Sequence, residues 1–287
     1  MVNEATISKL HEMKLSAMAE AYRLQMRESA MNALSFPERF GLLADHEWDT
    51  RKNNRLKRLI YKAGFPICGA CMEDIEYQSD RKLNKEHLLQ LSTCSFITEK
   101  HNVIILGATG AGKTYLACAL GMAACRRFFS VKYIRLPDLL DELSVARGEG
   151  IFQKVMHGYK KIDLLILDEW LLIPLSMTES RDFLELIESR YSRCPTIFSS
   201  QFDVSGWHTK ISDVPLSEAI LDRIVHNSYT VIIGGEESMR KRKGVCLFIS
   251  AKTSLRGGSH PEDPDHFIPC SWITLFRTVG SFQPWFT

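Results

Sequence analysis

The stretch Val103-Ile104-Ile105-Leu106-Gly107-Ala108-Thr109-Gly110-Ala111-Gly112-Lys113-Thr114 decides the fold. Four consecutive apolar residues, three of them β-branched, predict a short strand buried on both faces. The next eight satisfy G-x-x-x-x-G-K-[ST], and Lys113 to Phe128 predicts a helix. A strand before and a helix after is the context this motif needs. Its glycines let the backbone wrap tightly, so that N–H groups turn inward toward phosphate oxygens beside the positive end of a helix. Gly107, Ala108, Thr109, Gly110, Ala111 and Gly112 are therefore predicted to hold a nucleotide. Lys113 is predicted to reach the β- and γ-phosphates, and the Thr114 hydroxyl to ligate Mg²⁺.

Further along the chain, Leu164-Leu165-Ile166-Leu167-Asp168-Glu169 is a second apolar strand ending in two carboxylates. A strand buried on both faces delivers its last residues to the sheet edge where ligands sit in open α/β folds. Asp168 is predicted to hold Mg²⁺ through water, and Glu169 to polarise the attacking water. Two adjacent acids suit hydrolysis better than transfer to a substrate hydroxyl. Further strands are expected at Val131–Leu136, Thr196–Ser200 and Tyr229–Ile233, with helices at Pro137–Arg147 and Thr178–Ser192. Apolar strands alternating with helices predict a parallel sheet covered on both faces. Ser200 and Gln201, ending the strand expected beside Asp168, are candidates to orient the water. Phosphoryl transfer also needs positioned cations. Arg223, expected after a helix Ser217–Leu221, is a candidate arginine finger for a neighbouring subunit's ATP. Arg240 is a candidate γ-phosphate sensor in cis. A surface salt bridge is the alternative for each.

Upstream, residues 6–34 predict one helix, because Leu15, Met18, Ala19, Tyr22 and Met26 recur at helical spacing without Gly or Pro. Ser35 and Glu38 form a capping-box pattern with Pro37 in the first turn, opening a second helix that should run to Ala63. Arg51, Arg55, Arg58 and Lys62 share one face of that helix, beside Trp48, Leu56 and Leu59. Such a stripe can face a polyanion, or it can be a solvated face whose stems cover apolar surface. Residues 64–100 predict a connector with a short helix, Lys85–Leu91.

The 287 residues carry 36 Lys+Arg against 34 Asp+Glu, and 45% are hydrophobic. That balance excludes a wholly disordered, collagen-like or disulfide-scaffold chain, and it gives no sign of a polyanion partner beyond local clusters. No apolar run approaches a membrane span, and the N-terminal residues do not resemble a secretory signal. The eight cysteines are therefore expected as reduced thiols in the cytoplasm. Cys68-Gly69-Ala70-Cys71 is a lone CxxC without a second pair for zinc, and Cys118 and Cys125 are expected as buried apolar residues.

Taken together, GATGAGKT, LLILDE, TIFSSQ, AILDRIVHNSY and ESMRKRK, in that order, resemble the IstB-like ATPases, relatives of the helicase loader DnaC within the AAA+ class. LHEMKLSAMAEAYRLQM and FPERFGLLADHEWDTRKNNRLKRLI resemble that family's small helical domain. The resemblance covers roughly residues 5–243. It implies an α/β fold of the AAA+ P-loop NTPase type, with a parallel five-stranded sheet flanked by helices and preceded by a small all-helical domain. It divides the chain into a helical DNA-binding domain (1–66), a connector (67–100), an ATPase domain (101–244) and an irregular extension (245–287). It implies ATP and Mg²⁺ as cofactors, bacterial cytoplasm as location, and an ATP-dependent homo-oligomer on duplex DNA that recruits a transposase. Arg223 then matches the finger position and Arg240 the second sensor, while Arg51, Arg55, Arg58 and Lys62 become DNA contacts.

Two features depart from the family. Trp170-Leu171-Leu172 stands where members often carry a glycine, and residues 245–287 match nothing in it. A frameshifted or read-through end is one explanation of that segment. Three other readings fit a phosphate loop: a helicase loader for single-stranded DNA, a small-metabolite kinase, and a non-hydrolysing nucleotide-gated scaffold. Glu169 speaks against the last.

Overall fold

In the computed structural model, residues 2–28, 31, 33–235 and 239 are described. Helices α1 (Val2–Glu12), α2 (Ser16–Gln25) and α3 (Phe36–Ala63) precede α4 (Lys85–Ser92) and α5 (Ser95–Glu99). The α/β part follows as β1 (Asn102–Gly107), α6 (Lys113–Arg126), β2 (Val131–Arg135), α7 (Leu136–Gly148), α8 (Phe152–Lys161) and β3 (Leu164–Asp168). It ends with α9 (Met177–Arg190), β4 (Thr196–Ser200), α10 (Val214–Val225) and β5 (Ser228–Ile233). The five strands are parallel in the order β2-β3-β4-β1-β5.

Alternation along the strands builds two cores. Val103, Ile105, Leu164, Ile166 and Ile197 face the α6 side, with Leu116, Leu120 and the connector residues Leu88, Leu91 and Phe96. Ile104, Leu106, Leu165, Leu167 and Phe198 face the other side, with Leu139, Met156, Phe183, Leu186 and Ile220. Both faces of β1, β3 and β4 are thus removed from water, which is why Val103–Leu106 and Leu164–Leu167 read as unbroken apolar runs, while β4 buries Thr196, Ser199 and Ser200 beside Ile197 and Phe198. Cys118 and Cys125 lie buried in α6 as expected, and burial pushes both thiols up to about 12.

The single helix expected over 6–34 is two helices. Lys14 takes a left-handed φ of 59° and reverses the chain, a conformation usually reserved for Gly or Asn. Helix α3 holds the reversal in place. The Arg51 Nη2 donates to the Lys14 carbonyl at 2.7 Å, and Glu47 accepts the Met18 N–H at 2.9 Å. Leu15, at the N-cap position of α2, cannot cap it, so Glu47 caps α2 from a different helix. Burial alone would raise the Glu47 pKa, but Arg51 and the N–H groups of Met18 and Ala17 outweigh it and hold it below its ordinary value. A depressed carboxylate stabilises fully above its unfolded pKa of about 4.3 and loses that contribution as pH falls through the folded value. Glu47→Gln should therefore lower stability at pH 7 by about 1–2 kcal/mol. The gap in melting temperature from wild type should close toward pH 3, as read by circular dichroism.

Ser35 and Glu38 form the expected capping box, and α3 ends at Gly64 with φ 69°. Its apolar seam is Leu56, Leu59, Ile60 and Ala63, packed on the α6 side of the sheet. Trp48, expected in that seam, instead lies 60% exposed beneath the Lys52 ammonium. Phe65, just past the helix, is so close to α6 that a Cβ at Gly121 would lie 2.6 Å from its ring. Helix α3 therefore runs unbroken from the helical segment onto the sheet. Residues 245–287, expected as an irregular extension, lie outside the described residues.

Candidate nucleotide site

The carboxyl ends of β1, β3 and β4 meet at one edge of the sheet. From β1 the chain enters the phosphate loop. A Cβ at Gly107 would lie 2.8 Å from the Ile233 carbonyl, and Gly110 and Gly112 have φ of 81° and 96°. Only glycine satisfies these positions without strain. The Lys113 Nζ folds back over the loop, donating to the carbonyls of Gly107 at 2.9 Å and Ala108 at 3.0 Å. Burial lowers the Lys113 pKa, while nearby Asp168 pulls it the other way.

Asp168 ends β3 and is 3% exposed. Its Oδ2 accepts from the Thr114 hydroxyl at 2.6 Å and from the Tyr133 phenol at 2.8 Å. Its Oδ1 accepts the Glu169 N–H at 2.9 Å. Three donors on a carboxylate with about four acceptor sites leave room for one more partner. Tyr133 reaches this site from β2, and no motif in the sequence marks it. Burial, then the Asp168 charge, raises the Tyr133 pKa, so it stays a donor. The Thr114 hydroxyl and the Asp168 carboxylate are hard oxygen donors beside a phosphate cradle. That is the donor set Mg²⁺ takes together with substrate phosphates, and the residues fit that ion.

The turn after the acids explains the Trp-Leu-Leu departure. Trp170 is fully buried, with ring centroids 4.7 Å from Phe183, 5.1 Å from Phe198 and 5.7 Å from Trp207. Its backbone N–H donates to the Ser199 carbonyl at 2.8 Å. That anchor holds the flanking Glu169 and Leu171 at left-handed φ of 55° and 53°. The strain falls on an acid at the rim of the site, where such strain commonly collects. Gln201 stands close by, its Oε1 accepting from the Thr109 hydroxyl at 2.6 Å. The Ser200 hydroxyl is buried. It donates to the Trp170 carbonyl at 3.0 Å and accepts the Phe202 N–H at 3.1 Å.

Arg223 lies away from this edge. Arg223 sits inside α10 rather than after it, donating to the Ala219 carbonyl at 2.7 Å and pairing with Glu188 at 3.0 Å. Its backbone carbonyl lies 3.4 Å from the side chain of Asn102, the first residue of β1. Five residues of strand, about 17 Å, separate Asn102 from Gly107, so Arg223 stands at the opposite end of the sheet from its own phosphate loop. Arg240 lies outside the described residues.

The wall beside the loop carries no sequence motif. A narrow recess of about 80 Å³ opens next to Gly112, lined by Ile75, Leu83, Tyr115, Leu116, Ile233 and Met239. Arg81 forms part of it and clasps the loop from outside. The connector supplies half of this wall, and connectors carry no motif.

On α3, Arg51, Arg55, Arg58 and Lys62 are all exposed, but they are not equivalent. Arg51 is tied to Glu47 at 2.6 Å and to Lys14. The Arg55 guanidinium lies 4.9 Å from the Phe128 ring centroid. Arg51, Arg55 and Arg58 line an open cleft of about 690 Å³ between α3 and the start of α2.

Comparison with known proteins agrees with this fold. The AMPPCP-bound DnaA of Aquifex aeolicus superposes with a TM-score of 0.50 at 21% identity, over 60% of this chain and 52% of that one. A DnaI crystal structure gives 0.51 at 20% identity, over 62% of this chain and 93% of that one. These likenesses establish the fold as the AAA+ P-loop type. In sequence, the insertion sequence ATP-binding protein y4pL of Sinorhizobium fredii is 37% identical over 243 residues, 85% of this chain and 99% of that one. The insertion sequence IS1162 ATP-binding protein of Pseudomonas fluorescens is 40% identical over 205 residues, 71% of this chain and 89% of that one. With residues 8–245 matching its profile as well, the chain belongs to the family of IstB-like ATP binding proteins.

Proposed function

We propose that this protein is a Mg²⁺-dependent ATPase that assembles on duplex DNA and serves transposition by recruiting a transposase. The observation that carries the ATPase reading is the cluster of Lys113, Thr114, Asp168 and Glu169 at one sheet edge, with Thr114 and Asp168 joined at 2.6 Å. Phosphoryl transfer is mostly positioning and charge stabilisation. Loop N–H groups and Lys113 hold the phosphates, and the adenine ring lies in the recess against Ile75 and Tyr115. Thr114 and Asp168 hold Mg²⁺, which when bound offsets the phosphate charge. Glu169 takes the proton from the attacking water. Gln201 orients that water, since the Ser200 hydroxyl is committed to Trp170 and Phe202.

Arg223 can serve only a neighbouring copy's ATP, because its own loop is a sheet length away. ATP bound between copies would then favour assembly, and hydrolysis would release it. The DNA and transposase partners are what the family resemblance implies; the relatives' names give only an insertion sequence and ATP binding. The exposed cations of α3 supply the chemistry for phosphate contacts.

The stripe is tested by the salt dependence of duplex binding. Arg58→Ala should weaken binding alike on all sequences and flatten the slope of log K against log salt by about 0.9. Arg51→Ala should flatten it less and cost stability, because Arg51 already holds the α1–α2 reversal. An unchanged slope in Arg58→Ala, measured by fluorescence anisotropy, would refute the assignment. A clear preference for single strands over duplex would point to a helicase loader instead.

A further inference from the structure

Arg81 is 7% exposed and ends a short 3₁₀ turn in the connector. Its Nη2 donates to the Ala111 carbonyl at 2.9 Å and its Nη1 to the Glu76 carbonyl at 3.1 Å. Its own carbonyl accepts the Gly234 N–H at 2.8 Å, directly after β5. One residue thus joins the phosphate loop, the connector wall of the recess and the end of the sheet. The approach is close. A Cβ at Gly112 would lie 3.1 Å from the Arg81 Nη2, so the glycine before Lys113 makes room for the guanidinium as well as for its own φ.

A trans peptide unit is planar, so its C=O and N–H point to opposite sides. With the Ala111 carbonyl turned toward Arg81, the Gly112 N–H turns away from Arg81. The neighbouring Gly110 carbonyl is likewise held from outside, by the Met239 N–H at 2.9 Å. We propose that Arg81 is a positioning residue for the phosphate loop: it fixes the Ala111–Gly112 peptide so that the Gly112 N–H faces the bound phosphates, and it couples that orientation to the walls of the base recess. The inference rests on the nucleotide-binding reading and assigns the connector a part in gripping phosphate, beyond covering the base.

The test compares two ligands by calorimetry on the full chain, a non-hydrolysable ATP analogue and inorganic tripolyphosphate, which has no base. In Arg81→Met both affinities should fall by the same factor, about ten-fold for loss of a charge-assisted hydrogen bond that shapes the cradle. Arg81→Lys keeps the charge but cannot make the forked contact to Ala111 and Glu76, and it too should lose several-fold on tripolyphosphate. Circular dichroism checks folding, and if the Met variant does not fold, the Lys variant carries the test by the same criterion. Tripolyphosphate affinity within two-fold of wild type in the folded Met variant would reduce Arg81 to a wall of the base recess and overturn the proposal. Full tripolyphosphate affinity in the Lys variant would overturn it too, because charge alone would then suffice. A wild type that binds neither ligand would remove the nucleotide reading and this inference together, whereas normal wild-type binding with indifferent variants removes this inference alone.

Discussion

Lys113→Ala should lower ATP affinity about 100-fold while leaving the fold intact. On the proposed reading the Lys113 ammonium, the one charged side chain of the loop, donates to phosphate oxygens. Two charge-assisted hydrogen bonds of about 1.5 kcal/mol each amount to about 3 kcal/mol, or two decades in Kd. In the fold, the same ammonium donates to the carbonyls of Gly107 and Ala108. Those contacts lie at the loop rim, where water can replace a lost donor, so the melting temperature should move little. The two effects separate because binding uses the charge, whereas folding uses only hydrogen bonds that solvent can supply. Titration of a fluorescent ATP analogue beside a thermal melt checks both. A variant that binds ATP as wild type does would move the phosphate site elsewhere.

Glu169→Gln should do the reverse, keeping ATP affinity within about two-fold and slowing hydrolysis by about 10³-fold, within the range general-base removal usually costs. The amide keeps the shape of the side chain and its tolerance of the left-handed φ of 55° held by the Trp170 anchor. It cannot accept a proton. Asp168 keeps its three donors in the variant, one of which is the backbone N–H of residue 169 and does not depend on the side chain. Single-turnover phosphate release, compared with the ATP titration, gives the two readings. Undiminished turnover would assign the base to another residue, with Asp168 the nearest candidate.

What could be read from sequence follows from how local each signal is. The phosphate loop, the acidic pair and the five strands are local. A strand buried on both faces is a run of apolar residues, and a loop that bends around phosphate needs glycines at fixed offsets. Helix α3 was equally legible, because Ser35, Pro37 and Glu38 begin it and Gly64 ends it. The reversal at Lys14 was not, since the left-handed turn is held by Glu47 and Arg51, more than thirty residues away. Helix α8 carries a weak local signal: Phe152, Val155, Met156 and Tyr159 follow helical spacing, but no capping residue opens the helix and Gly148 and Gly150 stand just before it. Tyr133 and Arg81 carry no signal of their own, because one meets Asp168 through strand order and the other meets Ala111 through the path of the connector. Ser200 ends β4, as its place in the strand predicts, and its hydroxyl is taken up by the buried turn that Trp170 builds, a contact no local pattern encodes.

On this reading the loop after β1 and the acids at the end of β3 form one site that hydrolyses ATP and responds to DNA. The decisive measurement is phosphate release by the wild-type protein, with ATP and Mg²⁺, in the presence and absence of duplex DNA. Turnover should be measurable, duplex should raise it, and an equal mass of single strands should raise it less. No turnover under either condition, or turnover that proceeds only when a small metabolite is present to accept the phosphoryl group, would contradict it.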